Sequence, residues 1–170
     1  MDIVELALKH RDALQDFLAE FAGAGETEIP AYFGDPDASH AELVAAFAAQ
    51  ARGEGLPEGW VPGTTLFLVS EGRILGVANL RHRLTDFLRS FGGHVGYSVR
   101  PSERGKGHAT RLLEFVKTRA RDIGIDRLRV TCGADNAASA RVIEKCGGVL
   151  EDEAYVESAT KVIRRYWIDL

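Results

Sequence analysis

Apolar residues recur three and four positions apart along HRDALQDFLAEFAG, at Leu14, Phe17, Leu18 and Phe21, which is the spacing of one buried helical face. The pattern predicts a helix ending at Gly23, preceded by a first strand over DIVELA. A second helix is predicted over DASHAELVAAFAAQARG, with Ser39 as its cap and Gly53 as its stop. The segment GEGLPEGWVPG that follows holds four glycines and two prolines, too many for regular structure, although its Trp60 and Val61 are apolar enough to line a pocket. Two β-rich runs within TTLFLVSEGRILGVANLRHRL, joined at Glu71-Gly72, predict a hairpin. Further on, HVGYSV alternates as a strand does and Pro101 stops it. From Ala109 onward, Leu112, Leu113, Val116, Ala120 and Ile123 share one stripe of a long helix. The strand RLRVTC, a helix from Asn136 to Cys146 stopped by Gly147-Gly148, and the closing runs GVLEDEAYVE and KVIRRYWIDL complete the chain.

Composition narrows this picture. With 170 residues, 45% of them hydrophobic, the chain can bury a real core, and residues 1–170 are expected to form one domain. A net charge of −4 with dispersed cations leaves no footprint for nucleic acid. No apolar run is long enough to span a bilayer, and MDIVELALKHRDALQ lacks the basic-then-apolar order of a leader. A cytoplasmic protein without a membrane partner is expected. Cys132 and Cys146 lack metal spacing, so both are expected to be reduced and no metal is expected.

The candidate chemistry lies in GGHVGYSVRPSERGKGHATRLLEFV, residues 92 to 116. Here a strand passes into a helix through ERGKGHA, and free N–H groups and the dipole of a helix N-terminus attract anions. Gly105 and Gly107 let a ligand approach the main chain without meeting a Cβ. Three phosphate loops compete for this stretch. A P-loop fails because Lys106 is followed by Gly107. A dinucleotide fingerprint from Gly105 fits poorly, since position 110 is threonine and Pro101-Ser102-Glu103 intervenes after the strand. The third, Arg/Gln-x-x-Gly-x-Gly/Ala, fits from Arg104 through Gly107 to Ala109.

This third pattern resembles the coenzyme A pyrophosphate loop of the GNAT superfamily of N-acetyltransferases. VRPSERGKGHATRLLEFV looks like the superfamily's strand-loop-helix signature, and DNAASARVIEKCGG like its second motif; with the preceding hairpin they cover roughly residues 64 to 150. The wording GGHVGYSVRPSERGKGHA is also similar to a group of predicted bacterial acetyltransferases. The resemblance implies an α/β (α+β) fold, a mixed and mostly antiparallel sheet flanked by helices. Its parallel neighbours around residues 95 and 130 would splay to admit the pantetheine arm. It implies acetyl-CoA as co-substrate, a small-molecule or protein amine as acceptor, and a homodimer among the assemblies allowed. Carried over residue by residue, the coenzyme would meet Tyr97, Ser98 and Val99 on the strand and Arg104, Gly105, Lys106, Gly107, His108 and Ala109 in the loop. On the second motif it would meet Asn136, Ser139 and Arg141. Asn136 reads equally as a plain N-cap. The alternatives are a coenzyme-binding regulatory module without catalysis, and an unrelated α+β domain holding another nucleotide.

Acetyl transfer to an amine sets unequal demands. An alkyl amine of pKa ~10.4 is short of its neutral form at pH 7 by about 4.6 kcal/mol, whereas protonating a thiol of pKa ~8.5 gains only about 2 kcal/mol. A base therefore matters more than an acid. In the superfamily the strand's N–H groups polarise the thioester carbonyl, a role that would fall to the peptides of Tyr97 to Val99. The tyrosine that often protonates the thiolate would stand at position 143, which is Ile143, and the customary aromatic after the helix is Gly148. Tyr97, Tyr155 or water are the substitutes. His94 is the candidate base, with His82 and Glu153 behind it. Alternation puts His94, Gly96 and Ser98 on one face and Val95, Tyr97 and Val99 on the other, without saying which meets the substrate. Cys146 reads as a packed residue because no His-Asp constellation supports it as a nucleophile.

Overall fold

A computed structural model describes residues 1–170. Strands β1 (Asp2–Val4), β2 (Gly63–Ser70), β3 (Arg73–Arg81), β4 (Val95–Val99), β5 (Arg127–Gly133), β6 (Val149–Val156) and β7 (Lys161–Asp169) make one sheet, ordered β1-β2-β3-β4-β5-β7-β6. Every neighbouring pair is antiparallel except β4 and β5. This is the mixed, mostly antiparallel sheet expected from the sequence. Helices α1 (Arg11–Gly23), α2 (His40–Arg52), α3 (Asp86–Ser90), α4 (His108–Asp122) and α5 (Ala137–Lys145) flank it.

Local chemistry explains most boundaries. Ser39 and Glu42 cap α2 reciprocally, Ser39 Oγ accepting the Glu42 N–H and Glu42 Oε2 the Ser39 N–H, and Gly53 ends the helix in a left-handed conformation. Glu71 and Gly72 both have positive φ, as a tight hairpin turn requires. The first strand stops at Val4, shorter than DIVELA, and the TDFLRS segment forms the short α3 capped by Thr85.

The sheet buries two faces. One core packs Leu75, Ala78, Leu80 and Val95 against Leu112, Leu113, Val116 and Ala120 of α4 and Ile143 of α5. The other packs Phe67, Ile74 and Val77 against Leu14, Phe17 and Phe21 of α1 and Leu43 and Phe47 of α2. Ile123, read as part of the α4 stripe, is instead 45% exposed because the helix has already ended at Asp122.

Arg100, the residue between β4 and Pro101, is only 2% exposed. Its Nε donates to Glu20 Oε2 at 2.6 Å, Nη2 to Asp16 Oδ2 at 2.9 Å and Nη1 to the Ile74 carbonyl at 3.0 Å, while Glu20 Oε1 accepts the Ser102 N–H at 2.7 Å. Burial pushes the Glu20 carboxyl up, but hydrogen bonds from Arg100 and the Ser102 amide outweigh it and hold the pKa at about 2. This cluster binds the end of β4 to α1. Arg100→Met is expected to cost about 2 kcal/mol or more, lowering Tm by roughly 4–8 °C, since it strips two carboxylates and a buried carbonyl of one shared donor. A thermal melt that stays within 1–2 °C of wild type would show the cluster to be dispensable.

Candidate active site

Strands β4 and β5 pair at a single position, Val95 with Val130. Beyond it they part. The Gly93-His94 corner holds them together up to that point: the His94 N–H donates to the Arg129 carbonyl at 2.7 Å, and His94 Nδ1 accepts the Arg129 N–H at 2.9 Å. Gly93, with φ of 62°, lies so close that a Cβ would strike the Arg129 carbonyl. On the other side β4 stays in register with β3. Arg81 N–H donates to the His94 carbonyl and Arg100 N–H to the Leu75 carbonyl, so alternation turns the main-chain groups of Gly96 and Ser98 toward β3. Those of Tyr97 and Val99 then face the gap that β5 has left.

Two clefts open from this gap. The first, of about 1170 Å³, lies over the face that carries Gly96, between α1, the 26–36 segment and the mouth of the gap. The second, of about 700 Å³, runs from Tyr97, Ser98 and Val99 along Arg104, Gly105, Gly107, His108 and Ala109 to Asn136, Ser139 and Arg141. Glu26, Pro30, Tyr97, Asn136 and Ser139 line both. Tyr97 therefore stands where the clefts meet. Its hydroxyl is 2.7 Å from Ser139 Oγ, and burial pushes its pKa well above the ordinary tyrosine value.

The second cleft is walled by bare main chain. The N–H groups of residues 105 to 110 find no acceptor in the protein. Gly105 and Gly107 have φ of 77° and 85°, the left-handed region that glycine adopts without strain, and a Cβ on either would meet nothing within 4 Å. Of the charged side chains nearby, Arg104 and Lys106 are already paired, whereas Arg141 and Lys145 on the facing helix are not. Arg104 makes a two-pronged ion pair with Glu26 at 2.7 and 2.8 Å, donates from Nε to the Val99 carbonyl and lies over the Phe21 ring. Lys106 turns away to Glu103 at 2.9 Å and does not line the cleft. Lys106, expected among the coenzyme-binding residues, therefore offers the loop its free N–H, while its exposed side chain pairs with a carboxylate three residues back. Asn136 Oδ1 caps α5 by accepting the Ser139 N–H at 3.0 Å.

The candidate bases fare differently. His94 lines neither cleft and is 7% exposed. With Nδ1 accepting from Arg129, the neutral ring carries its proton on Nε2 and keeps no lone pair for an amine. The expectation of His94 as general base does not fit these surroundings. His82 pairs with Thr64 Oγ1 at 2.9 Å, Glu153 with Arg164 at 2.6 Å, and Tyr155 is exposed on the β6–β7 hairpin, all outside both clefts. Ile143 is fully buried and Gly148 packs directly on it, which leaves no space for the aromatic that the motif usually carries there. Burial pushes the Cys146 thiol up to about 11, so it is no nucleophile. Sequence reasoning missed the 26–36 segment, whose Pro30-to-Pro36 punctuation was legible but whose position over β4 was not. It also missed Arg81, Val142 and Lys145. Trp60 lines neither cleft; it meets Phe33, which does, edge to face.

This arrangement, a parallel strand pair that parts beside a bare, glycine-lined helix N-terminus, is one that known proteins share. The chain belongs to the acetyltransferase (GNAT) domain family, whose model matches residues 5–149. It is 34% identical over 133 residues to a mycothiol acetyltransferase of Saccharomonospora viridis, a match covering 73% of this chain and 41% of that protein's length. A ribosomal-protein-alanine N-acetyltransferase structure from Brucella melitensis superposes with a TM-score of 0.68 at 19% identity, covering 100% of both chains. An acetyltransferase structure from Salmonella typhimurium, solved with its cofactor acetyl-CoA, does so with a TM-score of 0.63 at 21% identity, covering 99% of this chain and 93% of that one. No helix of this chain is long and apolar enough to cross a membrane.

Burial, with the charges of Arg89 and Arg81 adding to it, holds the His94 pKa at about 4. The unfolded chain, with its histidine near pKa ~6.5, therefore binds a proton that the folded chain refuses. Stability is full above pH ~6.5 and falls as pH drops toward 4, by on the order of 2–3 kcal/mol from this residue. His10 and His82, lowered chiefly by burial, act in the same direction. Denaturant melts from pH 7 to 4.5 are expected to show this slope, flattened in His94→Gln; an unchanged slope in the variant would place the titration elsewhere.

Proposed function

We propose that this chain is an acetyl-CoA-dependent N-acetyltransferase, folded as one domain, that acetylates a primary amine. The observation that carries the proposal is the run of free amides at residues 105 to 110, opening onto a strand edge that its parallel neighbour has left. Such amides at a helix N-terminus suit a pyrophosphate, and glycine at 105 and 107 leaves the approach clear. Bound acetyl-CoA supplies an acetyl group already activated as a thioester for direct attack by the amine. The chain's own residues hold and orient it: the Gly105–Thr110 amides at the phosphates, the Tyr97 and Val99 main chain along the arm, and Asn136, Ser139 and Arg141 on the facing helix. N–H groups fixed in the gap polarise a carbonyl placed there without reorganising. The first cleft then receives the acceptor.

Tyr97 is the group at the junction. A phenol with its pKa raised by burial stays protonated, and it holds its proton more tightly than a thiol of pKa ~8.5. It serves as a hydrogen-bond donor to the departing sulfur rather than as a full acid. His94 is not placed to take the amine's proton, and Glu26, the carboxylate that lines both clefts, is held by Arg104, so the amine loses its proton to solvent.

Incubating the protein with acetyl-CoA and an amine panel, with free thiol as readout, tests the proposal. Amine-dependent thiol release is expected. Binding of acetyl-CoA without release by any amine would favour a non-catalytic coenzyme-binding module, and no binding would overturn the assignment.

Gly107→Glu is expected to weaken acetyl-CoA binding at least ~100-fold by calorimetry, because a carboxylate there faces the phosphates across little solvent. Gly107→Ala, which keeps the strain but not the charge, should lose far less. Arg104→Ala should lose less than ~10-fold, as its exposed pair with Glu26 is screened. Comparable losses in Arg104→Ala and Gly107→Glu would mean that side-chain charge, and not the amides, holds the coenzyme.

Tyr97→Phe removes one hydrogen bond to sulfur and is expected to lower kcat by roughly 3–10-fold with acetyl-CoA affinity retained. In wild type, kcat/KM should rise with pH through the neutral range up to the amine's own pKa, and His94→Gln should leave that apparent pKa in place. A shift of the profile in His94→Gln would restore the histidine as base.

A further inference from the structure

Gly92 and Gly93 stand at the head of the glycine-rich stretch. Both residues have positive φ, 95° and 62°, and both turn their carbonyls onto one group, Nη1 of Arg81, at 3.0 and 3.2 Å. Arg81 ends β3 on the same sheet face as Val77 and Asn79, the face over which the first cleft opens, and it lines that cleft. Its guanidinium carbon lies 5.6 Å from the centre of the Phe33 ring. The plane is therefore held twice, by two carbonyls on one nitrogen and by an aromatic face.

No carboxylate of the chain balances it. Arg104, Arg100, Arg129, Arg164 and Arg165 each pair with Asp or Glu, but Arg81 does not. Nε and Nη2 of Arg81 have no acceptor in the protein, and these two nitrogens form the edge of a guanidinium that takes a carboxylate side-on. The acids that line the same cleft are otherwise placed: Glu26 pairs with Arg104, Asp35 accepts the Asp37 N–H, and Glu28 does not reach Arg81. Burial alone shifts the Arg81 pKa, downward, with no opposing charge to raise it. A half-buried guanidinium held in one orientation, with Nε and Nη2 open to the cleft and no counter-charge, is set to bind a fitting anion.

We propose that Arg81 is the anchor for a carboxylate on the acceptor, so that the amine acetylated by this protein belongs to an amino acid or a short peptide that presents a free carboxylate in the first cleft. The inference rests on the first cleft being the acceptor side. Phe33 and the Gly92-Gly93 carbonyls fix the fork in advance, so little side-chain entropy is lost when the carboxylate arrives.

The test uses product-like probes that need no turnover. N-acetylated glycine, leucine, phenylalanine and γ-aminobutyrate are each compared with the matching carboxamide by calorimetry, in the presence of coenzyme A. At least one carboxylate is expected to bind tenfold or more tightly than its amide. In Arg81→Gln the preference should collapse to under twofold, and Arg81→Lys, which keeps the charge without the fork, should fall between. Equal affinities for every pair, no detectable binding of any carboxylate, or a preference that persists in Arg81→Gln overturns the proposal. Acetyl-CoA titrated into the same samples reads the other assignment separately: its loss in wild type would overturn the transferase reading while leaving the carboxylate comparison intact.

Discussion

A single backbone contact governs the site. β4 and β5 run parallel and meet only at Val95 and Val130, because the His94 ring and main chain close both hydrogen bonds with Arg129 just before that pair. Past it, β4 keeps β3 as its partner while its other edge has none. An unpaired strand edge buried in a domain is costly unless a ligand or water satisfies it. The two clefts, the exposed Tyr97 and Val99 main chain and the placement of Tyr97 between them all follow from that parting. Moving the His94 contact by one residue would reverse which peptide groups face the gap.

The first cleft is built onto this edge by the chain's N-terminal part. Ser98 Oγ donates to the Pro30 carbonyl at 2.6 Å, and Gly96 lets Ala31 lie against the strand, with a Cβ at 96 meeting the Ala31 Cβ at 3.3 Å. Ala31 itself has a φ of 73°, a conformation that costs alanine about 1 kcal/mol and that persists here because the segment is tied on both sides. Arg104 and Arg100 supply further ties, to Glu26 and to α1. One strand thus positions both clefts, and the Arg104 side chain acts as a strut between the loop and Glu26.

Electrostatics divides the same way. The second cleft offers dipoles from main-chain amides, with Arg104 and Lys106 beside them neutralised by Glu26 and Glu103 and with Arg141 and Lys145 unpaired on the facing helix. The first cleft keeps the half-buried Arg81 guanidinium oriented but without a counter-charge. Amides suit a dispersed, solvated diphosphate, and a fixed fork suits a planar carboxylate. Where the two clefts meet, burial keeps the Tyr97 phenol protonated.

Much of this was legible in the residues. Helical stripes, the Ser39 cap, the Glu71-Gly72 turn and the bare loop at 104 to 109 are local: each follows from spacing or from the φ freedom of glycine, and each occurs in the structure where the pattern puts it. What the sequence could not decide was everything set by contact between distant segments. Which face of HVGYSV meets the acceptor depends on α1, α2 and the 26–36 segment packing on the Gly96 side. His94 looked like a base because its ordinary pKa is suitable, yet its role is set by an amide 35 residues away. That the Arg104 and Lys106 side chains are each paired, with Glu26 and Glu103, could not be read from the loop's own sequence. Arg81 carried no signal at all, since an arginine at a strand end is ordinary and only the absence of a partner in three dimensions makes it notable. Local backbone preferences are encoded within a few residues, whereas the protonation, pairing and exposure of a side chain are properties of its surroundings, which exist only once the chain has folded.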